Sequence, residues 1–255
     1  MNRQVYWQRE GEPRGAKRLE GVVRTAVAVV GGGVTGLACA QRLCSAGLAV
    51  VLVERDFCGA GASGRSSGFV TPDSELELSA LIARFGAAEA RRLWEFVASG
   101  ASKIRANIEE HEIACDFQAQ DSLFIGKGRK GRRRVLEEHA ARRELGYPSR
   151  AFEGDGVRET LGTTKYTAAV RYGGTFAMDP YAYCRGLRGE LVARGVDVRE
   201  ASPVTRVHAD GVETSAGRVR ADHVVVAIDR FTPELGVLEQ DIFHAQTFLA
   251  LTQPL

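Results

Sequence analysis

The chain contains 255 residues, which is enough for one large domain or two small ones. Hydrophobic residues make up 44% and charged residues 26%, a composition typical of a chain with a hydrophobic core that excludes collagen-like and low-complexity classes. The 34 basic and 32 acidic side chains nearly balance, so charge gives no reason to expect a nucleic-acid partner.

The cysteine pattern and the polarity of residues 1–10 indicate the cellular compartment in which the protein is expected. The five cysteines are odd in number and form no CxxC pair, so neither a disulfide scaffold nor a zinc site is predicted, and the histidines show no metal-ligand spacing. The polar residues 1–10 are unlike a signal peptide. Glycines 31–33 interrupt the apolar region 25–53, which predicts strand, turn and helix rather than a membrane span. We therefore expect a cytoplasmic protein with no metal and no membrane span.

Hydrophobic patterning begins with a predicted βαβ unit over 26–54. The branched apolar run 26–30 predicts a buried parallel strand. Helical spacing over 34–46 predicts a helix that Gly47 stops, and the run 48–53 predicts a second buried strand.

The middle of the chain alternates helical and extended patterns after a glycine- and serine-rich loop at 59–68. Helical periodicity covers 75–111, where Trp94 is expected to pack in the core. The other predicted elements here are strands at 115–117, 122–125 and 165–171 and a basic helix at 127–145. Six of the eight residues in 127–134 are basic, but acidic residues follow closely, which favours a solvated helix face over a phosphate-contacting patch.

The last third of the chain has the pattern of one helix followed mainly by strands. Asp179-Pro180 opens a predicted helix that runs to residue 193. The following predictions are a strand at 196–198, a meander with strands at 204–207, 212–214 and 218–220, a buried strand at 223–227 and a strand-like run at 245–251.

Gly31, Gly33 and Gly36 form a GxGxxG pattern between the first predicted strand and the first predicted helix. The first glycine permits a tight turn, the second lets the backbone come close to a pyrophosphate, and the third lets the helix pack closely on the strand. Free amides at the helix N-terminus, at Val34 and Thr35, would face the phosphates.

Glu54 lies at the end of the second predicted strand, 18 residues after Gly36. Its carboxylate can accept hydrogen bonds from both ribose hydroxyls and would repel a 2′-phosphate. The pattern therefore predicts a dinucleotide site, with a glycine turn in an unrelated α/β fold as the alternative. NAD and FAD domains share this pattern, but small residues follow at 58–69, where an NAD domain would normally continue into another helix and strand.

The stretch Gly61-Ala62-Ser63-Gly64-Arg65-Ser66-Ser67-Gly68 resembles the GASGRxxG segment of the FAD-dependent D-amino-acid-oxidase superfamily, and in particular of its gamma-glutamylputrescine oxidoreductase and glycine oxidase branch. The resemblance continues through the Asp-Pro helix that begins within 173–180 and the strand region 195–204. It also includes a third nucleotide-domain strand at 223–227 and the segment 252–255.

The resemblance implies FAD as the cofactor and assigns its contacts by position. These contacts are Gly31, Gly33, Val34, Thr35, Gly36, Glu54, Arg55, Ala62, Ser63, Gly64, Arg65, Ser66 and Val204. Val204 would meet the adenine through its backbone. The sequence departs from the family at Ser66-Ser67, where Asn-Gly is common, and at Asp229-Arg230, where many relatives have a small or polar pair. No histidine lies in 59–69, so attachment of the flavin through a histidine there is not expected.

Residues 64–68 also fit the GxSxG pattern of a hydrolase nucleophile. That motif requires a strand, a sharp turn and then a helix. Ser66 instead follows the predicted strand by about a dozen residues, within a glycine-rich loop, so a serine hydrolase is not predicted.

The predicted fold is α/β, with a Rossmann-like FAD-binding domain (a parallel sheet plus a β-meander) and a mixed α+β cap or substrate domain that is incomplete at the C-terminus. Residues 1–21 are predicted to form an N-terminal arm. The FAD-binding domain is assigned 22–74 and 172–230, and the cap domain 75–171 and 231–255. Because the relatives are much longer, we expect the chain to be a fragment or a truncated paralogue.

The resemblance implies an FAD-dependent oxidoreductase that oxidises a small amine or amino acid. The neutral amine gives a hydride from its α-carbon to flavin N5, and the imine then hydrolyses. Such a reaction needs no dedicated protein base, so no catalytic residue is assigned, and Arg65 and Ser66 are candidates for shaping the flavin environment. A non-catalytic FAD-binding remnant and an NAD-dependent oxidoreductase are the alternatives. The particular substrate and the oligomeric state are not predicted.

Overall fold

The computed structural model describes residues 5–8, 17–243, 245 and 247–252. These residues form two compact units. The first unit takes the residues up to Gly68, the segment His111–Cys115 and the residues from Asp179 onward, and the second takes Phe69–Glu110 and Asp116–Met178.

Strands and helices alternate along the described residues. In chain order they are β1 (Gly21–Val30), α1 (Val34–Ser45), β2 (Val50–Val53), β3 (Phe69–Val70), α2 (Leu78–Phe85), α3 (Ala87–Glu110), β4 (Gln118–Gly126), α4 (Gly128–Glu144), β5 (Arg150–Glu153), α5 (Asp155–Leu161), β6 (Ala168–Ala177), α6 (Pro180–Ala193), β7 (Asp197–Arg199), β8 (Val204–His208), β9 (Gly211–Thr214) and β10 (Gly217–Val226). Short 3-10 helices lie at Tyr6–Gln8, Ser63–Arg65 and Asp229–Leu235.

The first unit is built on a mixed sheet whose described strands follow the order β7-β2-β1-β10-β9-β8. β1 pairs in parallel with β2 and β10, and β2 pairs in parallel with β7. β8, β9 and the first half of β10 form an antiparallel meander. Residues 27–30 of β1 and all of β2 are buried, as expected for parallel strands that are covered on both faces. The predicted α/β fold with a parallel sheet and a meander is therefore confirmed.

The second unit contains an antiparallel sheet in the order β3-β6-β4, with β5 also paired to β6, and helices α2 to α5. A cluster of buried apolar side chains, with Trp94 3% exposed, packs α2 and α3 against the end of α4. Trp94 is therefore a core residue, as its helical spacing predicts.

Local patterns located most elements, but tertiary pairing moved several boundaries. The helical pattern at 75–111 is divided into α2 and α3 at Gly86, whose φ of +79° favours glycine and ends α2. The strand predicted at 122–125 is confirmed within β4, which starts at Gln118 because it pairs along β6, whereas residues 115–117 form no strand. β5 and α5 were not predicted.

At the end of the chain, the strands predicted at 218–220 and 223–227 are one strand, β10, which pairs along its whole length with β1. The strand-like run predicted at 245–251 forms no strand among its described residues, 245 and 247–251. Apolar alternation alone does not make a strand where no neighbouring strand supplies hydrogen bonds.

The unit boundaries also differ from those expected from the sequence. Residues 172–177 stay with the second unit because they belong to the continuous strand β6. Residues from 231 onward and the segment His111–Cys115, both expected in the cap domain, belong to the first unit, where Ile228 and Leu235 pack on the core. Residues 69–74, expected in the FAD-binding domain, belong to the second unit. Within the expected arm, residues 1–4 and 9–16 lie outside the described residues, and Leu19 is 1% exposed in the core of the first unit.

The basic stretch 127–134 lies mainly on α4, and three of its four arginines are paired with acidic side chains. Arg134 contacts Glu77 at 3.0 Å, Arg133 contacts Glu137 at 3.5 Å, and Arg132 pairs with Glu153. This arrangement agrees with a solvated helix face. Among the described residues, no helix is both long and apolar enough to cross a bilayer, and no three potential metal ligands cluster.

A fully buried ion pair organises the second unit. Glu138 is 0% exposed, and its carboxylate accepts the amides of Leu78 and Ser79 at the start of α2, at 3.3 and 2.8 Å. The Arg142 Nε atom donates to the same carboxylate at 2.8 Å. The Arg142 guanidinium lies 3.4 Å from the ring centroid of Tyr172. Glu138 therefore acts as a non-local cap for α2 while neutralising a buried arginine.

We expect Glu138→Ala to lower the free energy of unfolding of the second unit by about 3–5 kcal/mol, because it leaves Arg142 buried without its partner. Urea denaturation followed by Trp94 fluorescence in a Trp7→Phe background measures this loss. The control is Glu137→Ala, since Glu137 is 56% exposed and its surface pair contributes about 0.5 kcal/mol. Equal losses for the two variants would contradict the assignment.

Candidate dinucleotide-binding site

The glycine turn joins the end of β1 to the start of α1 and has no room for side chains. Gly31 has a φ of +108°, and a Cβ there would lie 2.4 Å from the carbonyl oxygen of Ala227. A Cβ on Gly36 would lie 1.9 Å from the carbonyl oxygen of Gly31. The first turn of α1 therefore packs directly on the backbone of the loop that leads into it, and its N-terminus carries the positive end of the helix dipole.

Ser63 lies against the N-terminus of α1. Its Oγ atom accepts the amide of Val34 at 3.0 Å, whereas Gly33 at the N-cap provides no side-chain cap of its own. A Cβ on Gly33 would lie 3.0 Å from the same oxygen. The glycine- and serine-rich loop and the glycine turn, which are 29 residues apart in the sequence, thus form one local structure.

Glu54 follows β2 and reaches back to the glycine turn. Its Oε2 atom accepts the amide of Gly32 at 2.6 Å, and its Oε1 atom accepts the amide of Asp56 at 2.9 Å. Burial raises the pKa of the Glu54 carboxyl above its ordinary value, although these two amide donors oppose the shift. A carboxylate offers about four acceptor positions, so these two bonds leave capacity for further hydroxyl donors.

The loop after Glu54 is packed closely on α6. Gly59 has a φ of +82°, and a Cβ there would lie 2.9 Å from the Cβ of Cys184. A Cβ on Gly64 would lie 2.1 Å from the carbonyl oxygen of Gly59. The Arg65 Nε atom donates to the carbonyl of Ala60 at 2.7 Å. Small residues are therefore required by the packing of this loop.

The structure brings most of the predicted contact residues together around the start of α1. Through the bonds just described, the glycine turn, Val34, Glu54 and Ser63 form one site. Ala62, Arg65 and Ser66 are exposed on the neighbouring loop. Val204 begins β8, two residues after Ser202, whose amide donates to the carbonyl of Glu54 at 2.9 Å.

Arg55 is oriented by contacts that the sequence did not predict. Its guanidinium lies 4.2 Å from the ring centroid of Phe231, and its Nε atom lies 3.4 Å from Asp56. Sequence reasoning also missed Trp7, whose indole Nε1 donates to the carbonyl of Ser66 at 2.8 Å, and Glu200, a buried acid beside the loop. No local spacing connects these residues with the glycine motif, because their partners are distant in the sequence.

A parallel sheet, a glycine turn at a helix N-terminus and an acid after the second strand together define a dinucleotide-binding α/β domain. The family model for FAD-dependent oxidoreductases, DAO, matches residues 26–255. The chain therefore belongs to the DAO family of FAD-dependent oxidoreductases, and FAD is its cofactor. This confirms the resemblance carried by residues 61–68.

Several known proteins are similar to this chain. Gamma-glutamylputrescine oxidoreductase of Escherichia coli is 30% identical over 220 residues, which cover 82% of this chain and 51% of that protein. The probable oxidoreductase OrdL of Haemophilus influenzae is 27% identical over 90% of this chain and 56% of its own length. The crystal structure of glycine oxidase from Geobacillus kaustophilus matches with a TM-score of 0.71 at 20% identity, over 84% of this chain and 58% of that one. The chain thus spans about half the length of the relatives it matches.

The close approach at Gly36 makes a direct test of this geometry possible. We expect Gly36→Ala to lower the free energy of unfolding by about 1–3 kcal/mol through overpacking, because the added methyl meets the backbone at Gly31 rather than a side chain that can move. The matched control is Gly61→Ala in the neighbouring loop, where an added Cβ meets nothing within 4 Å. Chemical denaturation of the two variants measures the difference, and equal stabilities would contradict the close packing.

Proposed function

We propose that the site around α1 holds the adenosine diphosphate part of FAD, and that the whole protein oxidises an amine or an amino acid. The observation that carries this proposal is the contact between the Glu54 carboxylate and the Gly32 amide at 2.6 Å. It sets an acceptor for ribose hydroxyls beside a helix N-terminus that favours phosphate.

The residues present fit a pyrophosphate next to an adenosine ribose. The turn carries no side chain that would hold a phosphate away from the amides of Gly33 and Thr35, whereas the Val34 amide, expected from the sequence to be free, donates to Ser63. The Ser63 hydroxyl accepts the Val34 amide and retains a proton that it can donate to a phosphate oxygen. The negative charge of Glu54 favours the free hydroxyls of FAD and disfavours a 2′-phosphate.

The remaining predicted contacts surround this centre. We assign the backbone of Val204 to the adenine, since Val204 follows the segment that is bonded to Glu54. Ala62, Gly64, Arg65 and Ser66 would line the loop side of the cofactor. Arg65 is tied to its own loop through Ala60, so its guanidinium is oriented before a ligand binds.

Bound FAD supplies an electron acceptor at flavin N5 for the hydride that leaves the α-carbon of a neutral amine. The residues described here bind and orient the cofactor, and no residue is assigned as a catalytic acid or base. Hydrolysis of the resulting imine then completes the oxidation. The names of the similar proteins, an oxidoreductase of gamma-glutamylputrescine and a glycine oxidase, support an amine or amino-acid substrate.

Two alternatives are less well supported than FAD-dependent oxidation. Membership of an FAD-dependent family over residues 26–255 disfavours an NAD-dependent oxidoreductase. A non-catalytic FAD-binding remnant would keep the same glycine turn and Glu54, but the similarity to proteins named as oxidoreductases favours a catalytic protein. A cytoplasmic location is part of this proposal: the five cysteines all lie among the described residues and no disulfide joins them there, which is usual for a reducing compartment.

Flavin binding and its dependence on Glu54 test the proposal. We expect the purified chain to take up FAD with visible bands near roughly 370 and 450 nm. Glu54→Gln should weaken FAD binding by about 10- to 100-fold, because the loss of the charge weakens the bonds from the ribose hydroxyls. Fluorescence titration with FAD measures the dissociation constants.

Glu20→Gln is the control for this titration, since Glu20 is an exposed carboxylate of the same unit that precedes β1, whereas the glycine turn follows the other end of that strand. It should bind FAD within about twofold of the parent chain, a difference below 0.5 kcal/mol. A chain that gains no flavin bands with FAD but is stabilised by NADH would contradict the proposal.

The raised pKa of Glu54 predicts a dependence of FAD affinity on pH. Because burial raises this pKa above the ordinary 4.5, the carboxyl takes up a proton at a higher pH than an exposed glutamate does. FAD affinity should therefore fall on acidification from a pH above the usual glutamate range, since the ribose hydroxyls lose an ionised acceptor. Glu54→Gln should remove this part of the pH profile, and an unchanged profile in that variant would exclude Glu54 as its source.

A further inference from the structure

A buried acid outside the assigned FAD contacts lies beside the dinucleotide site. Glu200 follows β7 and is 0% exposed. Its Oε1 atom accepts the amide of Cys58 at 2.8 Å. Its Oε2 atom accepts Arg188 of α6, with the Nη2 atom at 2.7 Å and the Nε atom at 3.1 Å. This carboxylate therefore joins α6 to the loop between Glu54 and Ser63.

The peptide that Glu200 holds is packed on the glycine turn. A Cβ on Gly32 would lie 2.7 Å from the Sγ atom of Cys58. The amide of Gly59 donates to the carbonyl of Gly32 at 2.9 Å. Any shift of the Cys58–Gly59 segment would therefore move the atoms against which the glycine turn rests.

Backbone hydrogen bonds fix the position of Glu200, so that its carboxylate can hold the Cys58 amide in place. Its amide donates to the carbonyl of Lys17 at 3.0 Å, and its carbonyl accepts the Ser202 hydroxyl at 2.8 Å. The next amide, from Ala201, donates to the carbonyl of Asp56 at 2.7 Å. The loop after β2 is thus held from one side by consecutive residues of the segment after β7.

These contacts require the negative charge of Glu200, and a neutral side chain of the same shape would not preserve them. A buried carboxylate is costly unless charge-assisted bonds satisfy it. Here two Arg188 nitrogens donate to Oε2 and the Cys58 amide donates to Oε1. A glutamine at this position would replace one carboxylate oxygen by an NH2 group, which would face one of these donors. One contact would then become a donor facing a donor, and either the loop or α6 would have to move.

We propose that Glu200, held by Arg188, is a positioning residue for the FAD site. It keeps the Cys58–Gly59 segment against the glycine turn, so that Glu54 and Ser63 on either side of that segment stay bonded to the turn and to the start of α1. This inference rests on the proposed function, because the affinity for FAD is the property that the positioning serves.

Glu138 provides a matched control. Like Glu200 it is 0% exposed, accepts backbone amides and pairs with an arginine, but it belongs to the second unit. Glu200→Gln and Glu138→Gln therefore remove the same kind of charge from two different surroundings. A role limited to general stability would make the two variants behave alike.

The experiment measures FAD dissociation constants by fluorescence titration, at a temperature where every variant is folded, together with hydrogen exchange by mass spectrometry without FAD. For Glu200→Gln we expect an FAD dissociation constant raised at least tenfold and faster exchange confined to the glycine turn and residues 55–64. For Glu138→Gln we expect FAD affinity within twofold of the parent chain and faster exchange confined to the second unit. Arg188→Lys keeps the charge but cannot supply the paired Nε and Nη2 donors to Oε2. It should give an intermediate affinity and serves as the test if Glu200→Gln does not fold.

The outcomes separate the two proposals. A parent chain that does not bind FAD would overturn the proposed function itself. If the parent binds FAD but Glu200→Gln or its substitute Arg188→Lys binds within twofold of it, the positioning role of Glu200 is wrong. Faster exchange spread over the whole first unit, with FAD affinity changed only in proportion to lost stability, would also overturn it.

Discussion

The hydrogen bond from the Gly32 amide to the Glu54 carboxylate, 2.6 Å long, joins the two sequence features on which the dinucleotide site depends. It forms because β1 and β2 are parallel and in register, with Val30 opposite Val53. The amide of Gly31 continues this pairing by donating to the carbonyl of Val53 at 2.8 Å. The residues that follow the two strands therefore lie side by side at the carboxyl ends of the strands, which is where parallel α/β sheets bind ligands.

Close packing around this bond leaves little freedom to the backbone. The carbonyl oxygen of Gly31 occupies the place where Gly36 would carry a Cβ, 1.9 Å away. Ser63 caps the amide of Val34, the first residue of α1, from a loop that is distant in the sequence. The helix N-terminus is thus held in place before a phosphate arrives, so binding costs less conformational entropy than ordering a loose loop would.

Two buried acids of similar chemistry have different consequences because of what surrounds them. Glu138 accepts the first amides of α2 and neutralises Arg142 inside the second unit. Glu200 accepts the amide of Cys58, which lies against the glycine turn. Burial and an arginine partner are common to both, so the segment whose amide each one accepts decides whether the charge supports a helix or a cofactor site.

The sequence alone was sufficient for features whose cause is local. Periodicity and glycine placement located β1, α1 and β2, and the Asp179-Pro180 pair located the start of α6. In the structure the Asp179 side chain caps that helix through the amides of Tyr181 and Ala182, both at 2.9 Å. The glycine pattern and the acid after β2 likewise predicted which residues meet at the start of α1, where the Gly32 amide donates to Glu54, because strand, turn and helix are contiguous in the chain.

Tertiary structure alone decided the features that depend on distant partners. The pairing of β10 with β1 made one strand of two predicted ones, and the pairing along β6 placed residues 172–177 in the second unit. Glu200 meets Cys58 across 142 residues of sequence, and neither residue type nor spacing indicates that contact. The physical reason is that local patterns encode which backbone conformation a segment favours, whereas the partner of a buried charge or of a strand edge is set by how the whole chain packs.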